Sequence, residues 1–454
     1  MTKILKIASK TIGGIIEWML ILIISFAFLI RSSVFQTFLA KKATAYLSKE
    51  LNTTFEIEAV DIVFLNKISL KNVTILDLKK DTLLHSNEIN VDIDNLDFTK
   101  NKFILSKTEL NQGTICINRN KKDGAYNYEF IADYFSSESK SESKPATLVF
   151  EEIALNDFDF KYDDFRKSQL EYGLDYDHIN LSKLSLNISK LNIENEVIAL
   201  NLTKFKVKEQ CGLNIEDLRS KINISSTGIR LNDFHLKTPK TKLNCSRLNL
   251  IYTNWGDFDY FEDKVKFDVD ILQSAVSLKD ISLFAPDIEG MDANVLIKAK
   301  VSNRVCDLSI SDLDLRFGKK TVIQGNFILP DFRKEGAGNL NEEIRYANLD
   351  FEDLKSFKLP KGTGRISIEE PISKFEHAEI INLKTYGKLN DFNLITNKIN
   401  TEIGSISLEN YLRVKQQDDA TYLIPVLKDS NLVKVSDINL ATFIREDNIN
   451  SLSP

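Results

Sequence analysis

Glycine and proline are scarce in this chain of 454 residues, at 17 and 8, and cysteine and histidine number only 4 each. So little turn punctuation argues against a compact sandwich or a tight barrel, both of which need frequent Gly and Pro turns. The cysteines, Cys116, Cys211, Cys245 and Cys306, form no CxxC, and they are too few for a disulfide scaffold or a structural zinc site. They read as buried or incidental thiols. The histidines, His85, His178, His235 and His377, are dispersed with no HExxH, which leaves metal and His-based catalysis without a motif. No GxxxxGK[ST] occurs, and no GxGxxG opens a helix, so the usual nucleotide cradles are missing too. Charge of one sign is also lacking: 59 Lys+Arg against 65 Asp+Glu give −6, no electrostatic footprint for nucleic acid. No nucleic-acid partner is expected. What the chain does have is 43% apolar and 27% charged residues, enough to build both a core and a solvated surface.

The N-terminus departs from that average. Ile12 to Ile30 reads IGGIIEWMLILIISFAFLI, with one formal charge at Glu17. The run is long enough to span a bilayer and longer than a signal-peptide core, and no small-x-small cleavage site comes after it. An uncleaved signal anchor over 12–30 is expected, with Ile12, Trp18, Leu22, Phe26 and Ile30 among its membrane-facing residues and a cytoplasmic tail over 1–11. Glu17 lies near enough to the start to reach the headgroups, and Trp18 suits the interface. Lysines 3, 6 and 10 precede the span while Arg31, Lys41 and Lys42 come after it, so orientation rests on the short tail staying inside. Phe35, Phe38, Leu39, Ala43, Tyr46 and Leu47 recur at helical spacing. Residues 31–51 are therefore expected to contain an amphipathic linker helix that lies at the bilayer surface or caps the body of the chain.

From about Phe55 the period changes from 3.6 to 2, which predicts sheet. One imperfect repeat recurs: apolar-x-apolar, two polar residues, apolar-x-apolar. It is found at Ile68/Leu70/Val73/Ile75, Val91/Ile93/Leu96/Phe98, Ile153/Leu155/Phe158/Phe160 and Leu186/Ile188/Leu191/Ile193. It returns at Leu200/Leu202/Phe205/Val207, Ile229/Leu231/Phe234/Leu236, Val276/Leu278/Ile281/Leu283 and Leu308/Ile310/Leu313/Leu315. The central polar pairs contain no glycine, which disfavours a two-residue hairpin. A bulge inside one long strand explains them better, because one extra residue returns the apolar side chains to the same face. An antiparallel sheet built this way is apolar on one face along its whole extent, and short interruptions such as Phe351 to Lys358 or the polar tract SSESKSESK offer little to cover it. The face must meet a second sheet, close on itself, or curl into an open trough lined for something other than water.

Two stretches carry a family likeness. FQTFLAKKATAYLSKELNTTFEIEAVDIVFLNKISLKNVTILDLKKDTLLHSNEINVDIDNLDF at 35–98 and TICINRNKKDGAYNYEFIADYF at 114–135, behind the anchor, resemble the N-terminal region of TamB-like proteins of the AsmA-like group. Beyond residue 135 the likeness is the strand repeat alone. The resemblance implies a mainly β fold: an N-terminal transmembrane helix followed by an elongated, twisted, one-sided sheet, the β-taco, with a hydrophobic groove. It divides the body into an N-terminal β region at 52–135, a polar loop at 136–146 and groove repeats at 147–454. It also implies an inner-membrane, single-pass protein with its bulk in the periplasm, phospholipid as the carried partner, and an Omp85-type outer-membrane protein as a further one. Members of this kind run far longer, so a truncated or split reading frame is expected at Pro454.

The residues expected to line the groove are Leu70, Val73, Ile93, Leu96, Leu155, Phe158, Leu186, Ile188, Leu191, Leu202, Phe205, Leu231, Phe234, Leu278, Ile281, Ile310 and Leu313. Each acyl CH₂ laid on such a surface gains about 0.8 kcal/mol, so no nucleotide is required for binding. The competing readings are a closed, dry β-core and a scaffold for assembling outer-membrane β-barrels. Neither catalysis nor a cofactor is expected. The carboxylates Asp157, Asp159, Asp163 and Asp164 lack calcium-loop spacing and read as the wet side of a strand. The aromatics Tyr252, Trp255, Phe258, Tyr260 and Phe261 read as a loop packed over a sheet end, with glycan binding the alternative.

Overall fold

The computed structural model describes residues 32–63, 66–97, 102–138, 147–194, 196–329, 339–361, 376–388, 391–402, 404–417, 420–425 and 434–436. The expected anchor residues Ile12, Trp18, Leu22, Phe26 and Ile30 lie outside them. Among the described residues no helix is long and apolar enough to cross a membrane. The chain divides into two compact units: Met1–Leu170, Asp175–Leu191 and Thr203–Gly212 in the first, and Glu171–Leu174, Asn192–Leu202 and Leu213–Pro454 in the second.

The first unit holds α1 (Ser33–Glu50), β1 (Phe55–Val63), β2 (Lys67–Leu76), β3 (Thr82–Asp97), β4 (Lys102–Arg119), α2 (Glu129–Glu138), β5 (Thr147–Phe150), β6 (Glu152–Asp164) and most of β7 (His178–Glu194). Strands β1 to β4 form an antiparallel meander, and β6 pairs antiparallel with β7. Between them the sheet is parallel: Lys102 to Leu105 of β4 face Thr147 to Phe150, and Thr108 to Arg119 face Ile153 to Asp164. The wholly antiparallel sheet suggested by the sequence is thus corrected to a mixed one. A parallel neighbour needs a crossover, and the segment 120–146 supplies it, its helix α2 running through residues the repeat reading left as strand and polar loop.

The second unit holds part of β8 (Val197–Glu209), then β9 (Asn214–Ile215), β10 (Asp217–Ser225), β11 (Gly228–Lys237), β12 (Lys242–Ile251), α3 (Phe261–Lys264), β13 (Lys266–Ser277), α4 (Leu278–Ser282), β14 (Asn294–Asn303), β15 (Ser309–Phe317) and β16 (Thr321–Ile328). It continues through β17 (Asn339–Asp350), α5 (Phe351–Ser356), β18 (His377–Lys388), β19 (Asp391–Thr401), β20 (Gly404–Gln417), β21 (Ala420–Pro425) and β22 (Lys434–Ser436). Its ladder is antiparallel from β8–β10 through β20–β21. Strand β22 also pairs with β20.

Five of the eight polar pairs that split the repeat hold a kink inside a continuous strand. Asn72, Asp157, Lys190, Asp233 and Asp312 all adopt positive φ, between 48° and 57°. Gln112, Lys183 and Asn382 do the same at comparable places in β4, β7 and β18. Asn and Asp tolerate the left-handed region best among non-glycine residues, which is why they dominate at these sites. At Asp157 and Asp312 two residues oppose one: Leu155 pairs with Leu186 and Phe158 with Leu184, while Ile310 pairs with Phe327 and Leu313 with Gly325. These are bulges, and the hairpin alternative does not apply there.

One repeat is not a strand. Val276 lies one residue before the end of β13, and Leu278 and Ile281 stand on the single helical turn α4. An i, i+3 apolar pair fits a helical turn as well as a bulged strand, and tertiary hydrogen bonds select the turn. Asp280 accepts from the Thr238 and Thr241 hydroxyls at 2.6 Å each, and the Leu278 amide donates to the Ala293 carbonyl at 2.9 Å.

Candidate functional site: the creased apolar face

At six of the eight kinks the next residue is buried. Val73 comes after Asn72, Phe158 after Asp157, Leu184 after Lys183, Phe234 after Asp233, Leu313 after Asp312 and Leu383 after Asn382, with Phe158 completely buried, whereas Leu191 after Lys190 is half-buried and Gln112 is followed by Gly113. Five of these six have a small partner on a neighbouring strand. In the first unit a row runs in register from Val73 to Ser86 to Gly113 to Phe158 to Leu184. In the second, Leu202 faces Ser220, Phe234 faces Cys245, Leu313 faces Gly325 and Leu383 faces Thr396. Within each unit these large residues set against small ones mark a crease running across the strands.

Two features make the crease possible. A kink turns the carbonyl before it out of the ladder, and the small residue opposite is often a hydroxyl that satisfies it. Ser86 Oγ donates to the Asn111 carbonyl at 3.2 Å, Ser220 Oγ to that of Asn232 at 2.9 Å, and Thr396 Oγ1 to that of Ile381 at 3.3 Å. Where no side chain fits, glycine stands. A Cβ on Gly113 would lie 2.0 Å from the His85 carbonyl oxygen and 2.7 Å from Phe158 Cζ, and one on Gly325 would lie 2.1 Å from the Glu343 carbonyl oxygen.

The expected lining residues sort by this crease. Val73, Phe158, Leu202, Phe234 and Leu313 are buried in it and form its floor. Leu70, Ile93, Leu155, Leu186, Ile188, Leu191, Phe205, Leu231 and Ile310 stand half-buried on the flanks, on strands. Leu96 pairs with Phe103 in the ladder, but its side chain lies outside what the structure describes. Leu278 and Ile281, on α4, leave the strand lining altogether. Over β10 to β14, Phe234, Cys245 and Val269 form a buried cluster against which Leu231, Leu236, Leu248 and Phe267 pack. Burial pushes the Cys245 thiol up to about 11, so it is an inert core group.

The opposite face is polar and held by cross-strand pairs. Lys221 bridges to Asp233 and Lys300 to Asp312, each at 2.8 Å, which places the kink carboxylates on the wet side. Arg247 reaches Asp268 at 2.8 Å and Lys384 reaches Glu343 at 2.8 Å. Such exposed pairs contribute little stability each, but they keep this face hydrated. Two recesses mix polar and apolar linings: one of about 680 Å³ between α1 and β1–β2 sets Lys41, Glu56 and Glu58 beside Phe55 and Ile57, and one of about 550 Å³ sets Lys298, Lys300, Asp312 and Arg345 beside Ile271 and Leu313.

The carboxylates singled out in the sequence have separate duties. Asp157 is a kink, and Asp159 accepts from the Lys183 amide at 3.3 Å. Asp164 is held well below the usual carboxylate range by hydrogen bonds from Arg166 Nε and Nη2 at 2.8 and 2.6 Å. Asp163 receives His178 Nδ1 at 3.2 Å, while His178 Nε2 lies 3.2 Å from the Lys167 carbonyl. Burial lowers the His178 pKa, but these two acceptors outweigh it and the net shift is upward. Among the described residues no group of acidic, His and Cys side chains is arranged to hold a metal.

The aromatic set packs over the end of the sheet. Tyr252 is buried, with its hydroxyl donating to the Ser225 carbonyl at 2.8 Å, and its ring lies 5.2 Å from Trp255 and 4.9 Å from Phe258. The chain of rings continues through Phe261 to Phe267 of β13, while Trp255 and Tyr260 keep outer surfaces exposed. The small partners Ser86, Gly113, Ser220, Gly325 and Thr396 were missed by sequence reasoning, although a small residue at an apolar phase in mid-strand is a readable signal. Comparison with protein-family models, with curated proteins and with solved structures finds no match for this chain.

Proposed function

We propose that this is a membrane-anchored envelope protein, resident in the inner membrane with its bulk in the periplasm, whose apolar sheet face carries phospholipid acyl chains toward the outer membrane. The observation that supports this reading is the state of the flanks. Leu70, Leu155, Leu186, Ile188 and Ile310 remain half-buried on one face while the crease residues beside them are closed. A face of that kind offers a chain of about sixteen methylenes roughly 0.8 kcal/mol per group transferred from water. The charged headgroup stays with solvent at the rim. No bond is made or broken, so the reading calls for no catalytic residue and no cofactor.

The closed cluster around Phe234, Cys245 and Val269 favours a second reading over that stretch, a scaffold whose apolar face serves only itself and which helps assemble outer-membrane β-barrels with an Omp85-type partner. The two readings separate in a transfer assay. Leu186→Asp places a charge on a half-buried flank without opening the crease. Under lipid carriage, movement of labelled phospholipid between donor and acceptor membranes falls while barrel assembly continues. Under the scaffold reading, lipid movement is indifferent to the substitution and barrel assembly is what suffers.

A further inference from the structure

Helix α1 caps the first strand through its polar side. Its polar residues face the sheet and bind the open edge of β1, whose other edge pairs with β2. Gln36 Oε1 accepts from the Ile62 amide at 2.7 Å, Thr37 Oγ1 accepts from the Val60 amide at 2.9 Å, and Ser48 Oγ accepts from the Phe55 amide at 2.9 Å. Ser33 Oγ donates to the Val60 carbonyl at 3.0 Å. Side chains thereby take the place of a neighbouring strand, and the edge is closed to pairing. Four large apolar residues are left on the outside, Val34 82% exposed, Phe38 54%, Leu39 52% and Tyr46 58%, while Phe35 and Leu47 are half-buried. Lys42 and Lys49 are exposed among them, with Lys42 Nζ over the Phe38 ring at 5.7 Å, while Lys41 lines the recess beside β1; the helix's single acid is Glu50, its last residue.

Large apolar side chains interleaved with lysines suit an anionic lipid headgroup layer, where rings sink and ammonium groups meet phosphate. The sequence places this face beside such a layer: the apolar run 12–30 ends three residues before the helix begins at Ser33. We propose that α1 is an interfacial helix, lying with Val34, Phe38, Leu39 and Tyr46 in the surface of an anionic bilayer while its polar face seals β1. This rests on the anchoring of 12–30 but not on lipid carriage.

The test uses the full chain with Trp18→Phe and Trp255→Phe, so that Phe38→Trp or, in a second protein, Tyr46→Trp is the sole indole. It is reconstituted into vesicles of phosphatidylglycerol and phosphatidylcholine, with and without bromine on the acyl chains. Expected are blue-shifted emission at both positions and quenching by the brominated lipid, against red, unquenched emission from Lys121→Trp in a wet turn. Replacing Lys42 and Lys49 by Gln lowers the lipid-bound population of the helix by about fivefold per lysine. Co-flotation with vesicles reports separately on the anchor. A chain that floats but whose reporters stay red and unquenched overturns this inference alone; a chain that does not float overturns it together with the anchor. A blue shift without bromine quenching that grows with protein concentration assigns the face to a second copy and overturns the proposal as well.

Discussion

Replacing Gly113 by alanine tests the crease at its tightest point. A glycine to alanine change in a strand ordinarily stabilises by about 0.4–1 kcal/mol, because the unfolded chain loses freedom. Here the sign reverses. The new Cβ would stand 2.0 Å from the His85 carbonyl oxygen and 2.7 Å from Phe158 Cζ, where comfortable contacts lie near about 3.5–4.0 Å. The oxygen belongs to backbone that pairs β3 with β4, and the Phe158 ring has no exposed surface to retreat into. Overpacking of this kind costs about 1–3 kcal/mol or more. Setting the entropic gain against it leaves a loss of about 1–2 kcal/mol, local to β3, β4 and β6. A sheet of many strands does not unfold as one unit, so hydrogen exchange is the suitable assay. Amides around Ser86 and Gly113 are expected to exchange about tenfold faster, the equivalent of about 1.4 kcal/mol. Amides of β11 and β12 are unaffected. Adding Phe158→Leu relieves the ring contact but not the backbone one, so it does not restore protection. Unchanged or increased protection in β3 and β4 would refute the close approach and, with it, the crease.

Other consequences arise from the same geometry. Asn382, exposed and at φ 52°, precedes buried Leu383; Asn382→Gly is expected to be neutral or to stabilise, and Asn382→Ala to destabilise by about 1 kcal/mol, read from exchange in β18 and β19. Asp164 titrates below the ordinary carboxylate value of about 3.9, so its contribution is present above that pH and is lost as pH falls through the lower folded value. Asp164→Asn should abolish that part of the acid dependence, measured by exchange in the β6 to β7 turn. His178 is raised above about 6.5, so its contribution is complete below that pH and fades as pH rises through the folded value; a ring signal titrating at or below the free-imidazole value would contradict the Asp163 pairing. Cys245 should resist thiol reagents in the folded chain and react once denatured.

How much of the molecule is legible in its sequence differs by level. Period 2 and the paired polar residues are enough to place Asn72, Asp157, Asp233 and Asp312 as kinks in long one-faced strands, because an extra residue is the simplest way to keep both halves apolar on one side. The burial of the residue after most kinks is not readable from the strand itself, since it depends on a small partner in another strand. Leu278 and Ile281 were misassigned because three-residue spacing cannot distinguish a turn of helix from a bulge, and the deciding bonds from Thr238 and Thr241 come from about 40 residues away in the chain. The parallel pairing of β4 with β6 was hidden for a related reason: pairing direction is set by the crossover and its helix α2, and the strand pattern is the same either way. In α1 the helix itself was clear from its spacing, but whether it capped the sheet or lay at a surface was not, because the deciding bonds run from Gln36, Thr37 and Ser48 to the edge of β1. Of the candidate lining residues, all but Leu278 and Ile281 stand on strands, and the sequence pattern did not separate those the fold buries from those it leaves half-buried.

The claim that the flanks of the crease hold acyl chains is tested most directly by a photoreactive benzophenone side chain placed at Ile188 and, as a matched control, at Asn187, neighbours whose side chains alternate across β7. Irradiation in living cells followed by mass spectrometry of the purified protein should show a phospholipid adduct at position 188 and none at 187. A lipid-free protein at 188, or equal labelling at both positions, would contradict lipid carriage and leave the sheet as a dry scaffold.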